Sequence, residues 1–569
     1  MRISKITNKN GQEVELGNFN VLVGPNNSGK SQTLRDIHNI ILSKKPKTTL
    51  ISELVIEKPD TFEELFNGLE MKDNPTNMDE SIIQGISSNL RGGNQININA
   101  KNYENTFTNA ENGNFICGNI GQFRVSFLDA ESRLVVTHSA ETHNSQSEPP
   151  QNLLQALYDD SEGKIEDELN SIFSSTFDQF VKLDYSSLRR LYLKVSQDFG
   201  EIPEDPRKAA PMMSGFPNIE QQGDGYRSFV GVVLSLLLSK GRIVLLDEPE
   251  AFLHPAQARK LGNWIADHSA EFGGQLIIST HNSNFLAGII ASTTETKIFR
   301  LNRSKDDTTF TEISSELTQR ITNSHILSSQ RVLEAIFFKG VVICEADADK
   351  AIYQVVGNRY LNNHNFLFIH AHNKQTIKDV SPLFVEAGIP VCGIVDIDIL
   401  NDGKDFRELI KSFTDSETDE LEKIREGISN AILGEDKEKD LFDELKSEVA
   451  KLNEALSKGV HEFSGAKTAL SIIRSNASLK GNWKQVKKEG ISAIPKGSQQ
   501  PTIDLLKVLK GFGIFVVPKG ELEGWFNLEM KKSSKFTIAA LEQLNNGNCE
   551  EELINFIKEI LTKMGEDKI

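Results

Sequence analysis

The sequence is poor in cysteine and has no long hydrophobic run, and both absences limit what the protein can be. Its four cysteines are spread along the chain and form no Cys-x-x-Cys pair, which excludes a disulfide scaffold and a structural zinc site. The longest apolar stretch, residues 229–238, is about half as long as a membrane-spanning helix needs to be. The N-terminal segment lacks the apolar core of a signal peptide. We therefore expect a soluble cytoplasmic protein that does not contact a membrane.

An excess of positive charge is also missing. The chain has 63 Lys and Arg against 80 Asp and Glu, which gives a formal net charge of −17. A protein of this charge is not a general nucleic-acid coat, so any contact with DNA must use local basic patches. With 38% apolar and 25% charged residues, the 569-residue chain has the composition of a globular protein with two or more domains.

Short apolar runs alternate with helical segments along the chain, and this order predicts two α/β domains. We expect the first domain at residues 1–330, with a helical insertion at residues 150–215, where leucines recur at three- and four-residue spacings. We expect the second domain at residues 331–569, with a helical insertion at residues 402–510. Apolar residues within 421–432 and 441–456 predict an amphipathic helical pair in that second insertion.

A glycine-rich loop at residues 24–31, GPNNSGKS, follows an apolar strand and precedes a helical segment. It fits the pattern GxxxxGK[ST], in which backbone N–H groups surround a phosphate, the lysine contacts the β- and γ-phosphates, and the Ser/Thr hydroxyl binds Mg²⁺. We expect the residues of this loop and its helix to bind ATP with Mg²⁺, namely Asn26, Asn27, Ser28, Gly29, Lys30, Ser31 and Gln32.

Two further apolar runs carry groups that suit the same chemistry. The run at residues 243–246 ends in Asp247 and Glu248, which would bind Mg²⁺ and orient the water that attacks the γ-phosphate. The run at residues 275–279 is followed by His281, which we expect to contact the γ-phosphate.

Together, GPNNSGKS, IVLLDEPEAFLHP and ISTHNS resemble the ABC-type ATPases of the RecF and SMC kind. The resemblance implies an ABC/RecF-like ATPase domain in which two heads sandwich ATP, so that the chain forms a homodimer or a higher homo-oligomer. Residues 222–228 are the candidate signature loop, with Gly223 where the family has a serine. The insertion at residues 150–215 is then the expected dimerisation element.

Acidic residues follow three apolar runs in the second half of the chain. Glu345 and Asp349 come after residues 341–344, Asp396 and Asp398 after 391–395, and Glu521 and Glu523 after 514–517. Side chains two residues apart on a strand share a face, so each Asp-x-Asp or Glu-x-Glu pair should point the same way. Carboxylates gathered at the carboxyl ends of parallel strands repel one another unless a cation neutralises them. We therefore expect all six to form a site for Mg²⁺ or Mn²⁺.

The order Glu, Asp-x-Asp, Glu resembles the Toprim fold of topoisomerases, primases and nucleases, with Ala346 where the first motif usually has glycine. A Toprim domain behind an ABC-type ATPase resembles the OLD family of ATP-dependent nucleases, which includes the Gabija nuclease and retron-associated effectors. The resemblance implies an ATP-gated DNA endonuclease or nickase with a two-metal site. It assigns catalysis to Glu345, Asp349, Asp396 and Asp398, ATP hydrolysis to Glu248, and a catalytic lysine to Lys535 or Lys532, with Lys487 and Lys519 as further candidates.

The family resemblance also implies a role in bacterial anti-phage defence, beside a partner such as a reverse transcriptase with noncoding DNA or a helicase. The best candidate DNA surface is a basic cluster with an interleaved tryptophan, formed by Lys480, Trp483, Lys484, Lys487, Lys488 and Lys496. An alternative is a RecF-like DNA-binding ATPase clamp in DNA repair with a non-catalytic Toprim domain. A topoisomerase or primase has less support, because neither a strand-passing tyrosine nor a zinc module accompanies the acids.

Overall fold

The computed structural model describes residues 1–304, 307–323, 333–370, 374–414, 418–434, 446–447, 449–450, 452–453, 481–528 and 533–566. The chain divides into two compact units, one containing Met1–Ser324 and Ser329–Phe337 and the other containing Phe338–Ile569. Each unit combines helices with a largely parallel sheet, so the predicted α/β class is confirmed.

The first unit is built on a six-stranded sheet with the order β15-β14-β3-β13-β12-β8. Strands β8, β12, β13, β3 and β14 are parallel, and β15 is antiparallel to β14. Every residue of β3, β12 and β13 is buried, as expected for central parallel strands that are covered on both faces. The strands of this unit are β1 (Ile3–Asn8), β2 (Glu13–Glu15), β3 (Phe19–Val23), β4 (Ile51–Ile56), β5 (Glu70–Asp73), β6 (Ser81–Ile86), β7 (Gly93–Ile98), β8 (Val125–Leu128), β9 (Ala140–Glu141), β10 (Phe180–Asp184), β11 (Arg190–Ser196), β12 (Ile243–Asp247), β13 (Gln275–Ser279), β14 (Lys297–Ser304) and β15 (Asp307–Ile313).

Helices pack on this sheet, and α8 is the most deeply buried of them, since ten of its residues from Ser228 to Leu237 are inaccessible to solvent. Its length and apolar composition account for the 229–238 run in the sequence. The helices of the first unit are α1 (Lys30–Leu42), α2 (Ala100–Asn109), α3 (Gly121–Arg124), α4 (Ala130–Val135), α5 (Leu153–Tyr158), α6 (Lys164–Phe177), α7 (Pro206–Met213), α8 (Asp224–Leu238), α9 (Pro255–His268), α10 (Ser283–Ile290) and α11 (Ser315–Asn323).

The insertion at residues 150–215 is not wholly helical, and this part of the prediction is wrong. It contains α5, α6 and α7, but β10 and β11 form an antiparallel pair between α6 and α7, and β11 also pairs with β9. Leu191, Leu193 and Val195 are buried in alternation along β11, which is the period of a strand. Leu188, whose spacing from Leu191 suggested a helix, lies at the turn between the strands with a φ of 57° and an exposed side chain.

The second unit contains a four-stranded parallel sheet with the order β17-β16-β18-β19. Its strands are β16 (Gly340–Cys344), β17 (Phe366–His370), β18 (Val391–Val395) and β19 (Ile514–Val516). Its helices are α12 (Asp347–Val355), α13 (Lys374–Glu386), α14 (Gly403–Lys411), α15 (Asp419–Leu433), α16 (Gly481–Glu489), α17 (Lys496–Phe512), α18 (Ser534–Asn545) and α19 (Glu551–Lys563).

The described part of residues 402–510 is helical, and it supplies α14, α15, α16 and most of α17. Ile428 and Ile432 of α15 are buried, as the amphipathic pattern predicts. The second half of the predicted helical pair, residues 441–456, lies largely outside the described residues. Among the helices that the structure describes, none is long and apolar enough to span a membrane.

Candidate nucleotide site and candidate metal centre

The glycine-rich loop lies between β3 and α1, at the carboxyl end of the central sheet. Gly24 has a φ of +136° and Gly29 a φ of +102°, which side chains rarely tolerate. A Cβ atom at Gly24 would lie 2.4 Å from the backbone oxygen of Leu301, so the neighbouring strand also requires glycine there. The loop thus leads into the N-terminus of α1, where backbone N–H groups and the helix dipole favour a phosphate.

Lys30 is buried beneath this loop, with 6% of the residue exposed. Its Nζ donates hydrogen bonds to the backbone oxygens of Gly24 at 2.9 Å and Pro25 at 3.0 Å. Burial lowers the pKa of Lys30 to about 8, although the nearby carboxylates of Glu248 and Asp247 act in the opposite direction. A bound polyphosphate would add negative charge beside Nζ and stabilise its protonated form.

Asp247 joins the phosphate loop to the sheet. Its Oδ1 accepts a hydrogen bond from the Ser31 hydroxyl at 2.8 Å and another from the Ser279 hydroxyl. Neighbouring ligands of an octahedral Mg²⁺ ion lie about 3 Å apart, because each is about 2.1 Å from the metal. The Ser31 hydroxyl and the Asp247 carboxylate therefore fit two adjacent positions around Mg²⁺.

Glu248 and His281 form an ion pair beside this site. His281 Nδ1 lies 3.0 Å from Glu248 Oε1 and 3.8 Å from Glu250 Oε1. The bond with Glu248 raises the pKa of His281, and the same bond lowers the pKa of Glu248. Glu248 has a φ of +49°, an unusual conformation for a residue other than glycine. The pair brings together the two side chains that the sequence assigns to water orientation and γ-phosphate contact.

Sequence reasoning missed two buried groups that hold this region together. Arg133 is fully buried and donates hydrogen bonds to the backbone oxygens of Asp247 and Glu248 and to the Ser228 hydroxyl of α8. Glu250 is 3% exposed and accepts a hydrogen bond from the Thr280 hydroxyl at 2.7 Å, and burial raises its pKa. Glu250 is the last residue of the motif DEPE at residues 247–250, which could have indicated its importance. Arg133 lies in no motif that could have done so.

The remaining residues of the predicted nucleotide site lie around the loop in different environments. Asn26 and Asn27 are exposed at its tip, and Ser28 is buried. Gln32 donates a hydrogen bond to Asp36 at 2.8 Å and so is directed along α1. In the candidate signature loop, Gly223 lies directly before α8, whose first residue is Asp224.

The second unit gathers carboxylates at the carboxyl ends of three neighbouring strands, β16, β18 and β19. Glu345 follows β16 and Asp396 follows β18, and the Asp396 N–H donates a hydrogen bond of 2.9 Å to Glu345 Oε1. The loop after β19 joins them, because the Ile397 N–H donates to the Gly520 oxygen at 2.9 Å, one residue before Glu521. The predicted convergence of these three acids at one edge of the sheet is therefore seen in the structure.

The two acidic pairs do not lie on strands as predicted, although Asp396 and Asp398 still direct their carboxylates to one point, the ammonium of Lys487. β18 ends at Val395, so Asp396 precedes a 3₁₀ turn, Ile397–Leu400, that contains Asp398. β19 ends at Val516, and Glu521 precedes another 3₁₀ turn, Leu522–Trp525, that contains Glu523. The chain thus leaves the extended conformation within each pair, directly after Asp396 and after Glu521, and tight turns set the direction of Asp398 and Glu523.

Lys487 of α16 lies among these carboxylates. Its Nζ is 2.9 Å from Asp398 Oδ2, 3.3 Å from Asp396 Oδ2 and 3.8 Å from Glu521 Oε2. Burial acts to lower the pKa of Lys487, but the surrounding carboxylates outweigh it and raise that pKa above its ordinary value. Of the three candidate lysines that the structure describes (Lys487, Lys519 and Lys535), Lys487 is the one that lies at the acidic cluster.

The other candidate lysines and acids lie elsewhere or at its margin. Lys535 is exposed in the first turn of α18, Lys519 forms an ion pair with Glu552 at 2.6 Å, and Lys532 lies outside the described residues. Asp349 is 4% exposed and accepts a hydrogen bond from the Ala346 N–H at the start of α12. Through this bond Asp349 helps to cap the N-terminus of α12, in addition to any role that it has in the cluster.

The chemistry of the cluster fits a divalent metal ion, since Glu345, Asp396, Asp398 and Glu521 offer hard oxygen ligands. Glu523 adds a buried Oε2 atom that makes no hydrogen bond within the described structure. Across the ranges described, however, these acids supply no three oxygen atoms that all lie within 4.8 Å of one another. One set that does meet this distance is Glu168, His268 and Glu271 in the first unit.

The basic cluster proposed for DNA is divided between two environments. Lys484, Lys488 and Lys496 are exposed, whereas Lys487 points into the acidic cluster and Lys480 lies outside the described residues. Trp483 is fully buried, so it does not belong to the candidate DNA surface in which the sequence analysis included it. Trp483 lies on α16, and its side chain is on the inward face of that helix together with that of Val486.

Residues 130–287 match the family described as "AAA domain, putative AbiEii toxin, Type IV TA system". The matched segment contains Asp247, Glu248, His281 and α8, and the phosphate loop of β3 and α1 adjoins it in the same sheet. This match and the geometry of the phosphate loop support an ATPase domain in the first unit. No curated protein matches the chain.

Several solved structures of SMC heads are similar to the chain at low identity. An SMC head bound to the C-terminal winged-helix domain of ScpA has 14% identity and a TM-score of 0.34, covering 56% of this chain and 100% of that one. The SMC head domain from Thermotoga maritima has 13% identity and a TM-score of 0.29, covering 55% and 100%. A Pyrococcus furiosus SMC head bound to the C-terminal domain of ScpA has 12% identity and a TM-score of 0.32, covering 56% and 98%. The assignment of an ATPase domain does not depend on these weak similarities.

Proposed function

We propose that this chain is a divalent-metal-dependent DNA endonuclease or nickase of the OLD type, whose cutting is gated by ATP in the first unit. The observation that carries the proposal is the group of carboxylates after β16, β18 and β19, with the ammonium of Lys487 among them. Asp396 has 8% and Asp398 15% of the side chain exposed, so these are not solvated surface acids.

Such an arrangement suits phosphodiester cleavage. A divalent ion bound there would act as a Lewis acid on a phosphate oxygen and help to form a hydroxide nucleophile. Glu345, Asp396 and Asp398 would hold that ion, and Glu521 would complete the acidic edge. Lys487 would place a positive charge beside the phosphate that is attacked. A Toprim-type nuclease centre accounts for these residues, whereas a clamp with an inert second domain has no need of them.

The ATP site supplies a means of control. In the proposed mechanism, ATP is held by the phosphate loop with Lys30, Ser31 and Asp247, and Glu248 orients the water for hydrolysis. Closure of two such heads on ATP would pair two chains, so a homodimer or larger assembly is part of the proposal. Exposed lysines of α16 would bind the DNA backbone, and the biological setting would be anti-phage defence with a partner that reports infection.

Plasmid cleavage by the full-length chain tests the proposal. The assay compares Mg²⁺ with Mn²⁺, each with ATP, with a non-hydrolysable ATP analogue and without nucleotide. We expect Asp396→Asn/Asp398→Asn to abolish cutting while ATP hydrolysis remains. The matched control is Glu551→Gln/Glu559→Gln, which removes two carboxylates from exposed positions of α19 and should cut as the wild type does.

Two further variants separate binding from hydrolysis. Lys30→Ala should lose ATP binding, and Glu248→Gln should bind ATP without hydrolysing it. If ATP binding gates cutting, these variants will differ from each other, and the sign of the difference shows whether ATP permits or restrains cleavage. Cutting that persists in the double aspartate variant, or wild-type protein that cuts with neither ion under any nucleotide condition, would contradict the nuclease assignment.

A further inference from the structure

Lys487 occupies the middle of the carboxylate cluster, not its edge. Its Nζ lies within 3.3 Å of both Asp396 and Asp398 and within 3.8 Å of Glu521, carboxylates that follow two different strands. Its side chain is 27% exposed. A half-buried ammonium that contacts three acids neutralises the site far more than an exposed ion pair would.

The backbone of α16 holds this lysine in place. A Cβ atom on Gly520, whose φ is +99°, would lie 2.1 Å from the backbone oxygen of Lys487. A Cβ atom on Gly490, whose φ is +67°, would lie 2.1 Å from the backbone oxygen of Pro518. The helix is therefore pressed against the loop that carries Glu521, and the buried Trp483 anchors its inward face. These contacts fix the backbone position from which the Lys487 side chain reaches the carboxylates.

The positive charge of Lys487 and its short distances from the carboxylates limit the number of metal ions that can bind beside it. The four carboxylates of Glu345, Asp396, Asp398 and Glu521 carry four negative charges when ionised, and Lys487 offsets one of them. A two-metal site has ions about 3.5–4 Å apart that share carboxylate ligands. The Lys487 ammonium bridges Asp396 and Asp398, so it occupies two of the carboxylates that would be needed to hold a second ion. A second dication there would also be repelled by the ammonium.

We propose that Lys487 takes the place of one of two metal ions, so that the centre binds a single divalent cation and the ammonium supplies the second positive charge. This inference rests on the proposed nuclease function and refines it, since the family resemblance alone implies two ions.

Electron paramagnetic resonance of Mn²⁺ bound to the full-length, nucleotide-free chain tests the inference. Two Mn²⁺ ions about 4 Å apart couple magnetically, whereas an isolated ion keeps its own hyperfine pattern. All samples carry Glu271→Gln, because Glu168, His268 and Glu271 form another set of ligands that could take up Mn²⁺. The compared variants are Lys487→Met, Lys487→Arg and Asp396→Asn/Asp398→Asn, with circular dichroism to confirm that each is folded.

We expect the parent to bind about one equivalent of Mn²⁺ at this centre with an uncoupled spectrum. Lys487→Met should bind about two equivalents and show coupling, and Lys487→Arg, which keeps the charge, should behave as the parent does. Coupled Mn²⁺ in the parent, or a single uncoupled ion in a folded Lys487→Met variant, overturns the inference while leaving the nuclease proposal intact. If the double aspartate variant binds as much Mn²⁺ as the parent, Asp396 and Asp398 do not form a metal centre, and the proposed function is then wrong as well.

Discussion

Replacing Arg133 with methionine should destabilise the ATPase unit and slow ATP hydrolysis. The guanidinium donates to the buried backbone oxygen of Asp247, to the partly buried backbone oxygen of Glu248 and to the hydroxyl of Ser228. The Glu248 oxygen keeps the hydrogen bond from the Ala251 N–H, so the main loss is that of the Asp247 oxygen, and a buried acceptor that loses its donor costs about 1–3 kcal/mol. The lost bond to Ser228 adds to this cost, whereas removal of a buried charge recovers part of it, because burial lowers the pKa of Arg133. We expect a net loss of about 1–3 kcal/mol in the free energy of unfolding.

The matched control is Arg207→Met, since the Arg207 side chain is 87% exposed and pairs only with Asp205 in the described structure. That substitution should change the free energy of unfolding by less than about 0.5 kcal/mol. Urea unfolding, followed by intrinsic fluorescence and by circular dichroism, measures both variants.

The catalytic effect of Arg133 should be separable from its effect on stability. Arg133 holds the backbone of Glu248 at a φ of +49°, so its loss should let the carboxylate move and lower kcat for ATP by about 10- to 100-fold. Lys30 and the phosphate loop are untouched, so KM for ATP should change little. Steady-state kinetics at a temperature where both variants are folded gives the two parameters. An Arg133→Met variant that unfolds like Arg207→Met and hydrolyses ATP at the wild-type rate would refute this account.

Two other predictions concern charge. Because Glu248 raises the pKa of His281, the pair should stabilise the fold fully below the ordinary histidine pKa of about 6.5 and lose this contribution as pH rises through the raised value. Because the same bond lowers the pKa of Glu248, stability should also fall as pH drops through that lowered value. The difference in unfolding midpoint between the wild type and His281→Gln should therefore shrink as pH rises through the pKa of His281 and as it falls through that of Glu248, and a difference that does not change with pH would contradict the assignment. Lys484→Gln/Lys488→Gln should weaken DNA binding and reduce the slope of log K against log salt by about 2. The control is Lys558→Gln/Lys563→Gln, which removes two exposed lysines of α19, and an unchanged slope in the α16 variant would exclude that helix face as the DNA contact.

The nucleotide site could be predicted closely because it is encoded locally. The loop at residues 24–31 and the run ending in Asp247 each contain their chemistry within a few residues, and buried parallel strands are apolar throughout. Arg133 could not be predicted, since its importance depends on backbone oxygens more than 100 residues away, which no side-chain pattern records.

The acidic cluster could be predicted only in outline. Parallel strands bring their carboxyl ends to one edge, which placed Glu345 and Asp396 together, but the turns after β18 and β19 determine where Asp398 and Glu521 point. Lys487 was one of four open candidates, because its approach to the cluster depends on the contact between α16 and Gly520. The strands β10 and β11 were missed for a related reason, since leucines spaced by three fit a turn between strands as well as a helix.

The acidic cluster depends on strands that are synthesised far apart in time. Glu345 follows the first strand of its sheet, whereas β19 begins at Ile514 and Glu521 comes later still, after the long helical insertion. A ribosome must therefore complete most of the second unit before these carboxylates can meet. By contrast, all the strands of the ATPase sheet precede residue 314. During translation the nucleotide site can form well before the acidic centre, so a nascent chain would acquire its ATPase unit before its acidic cluster.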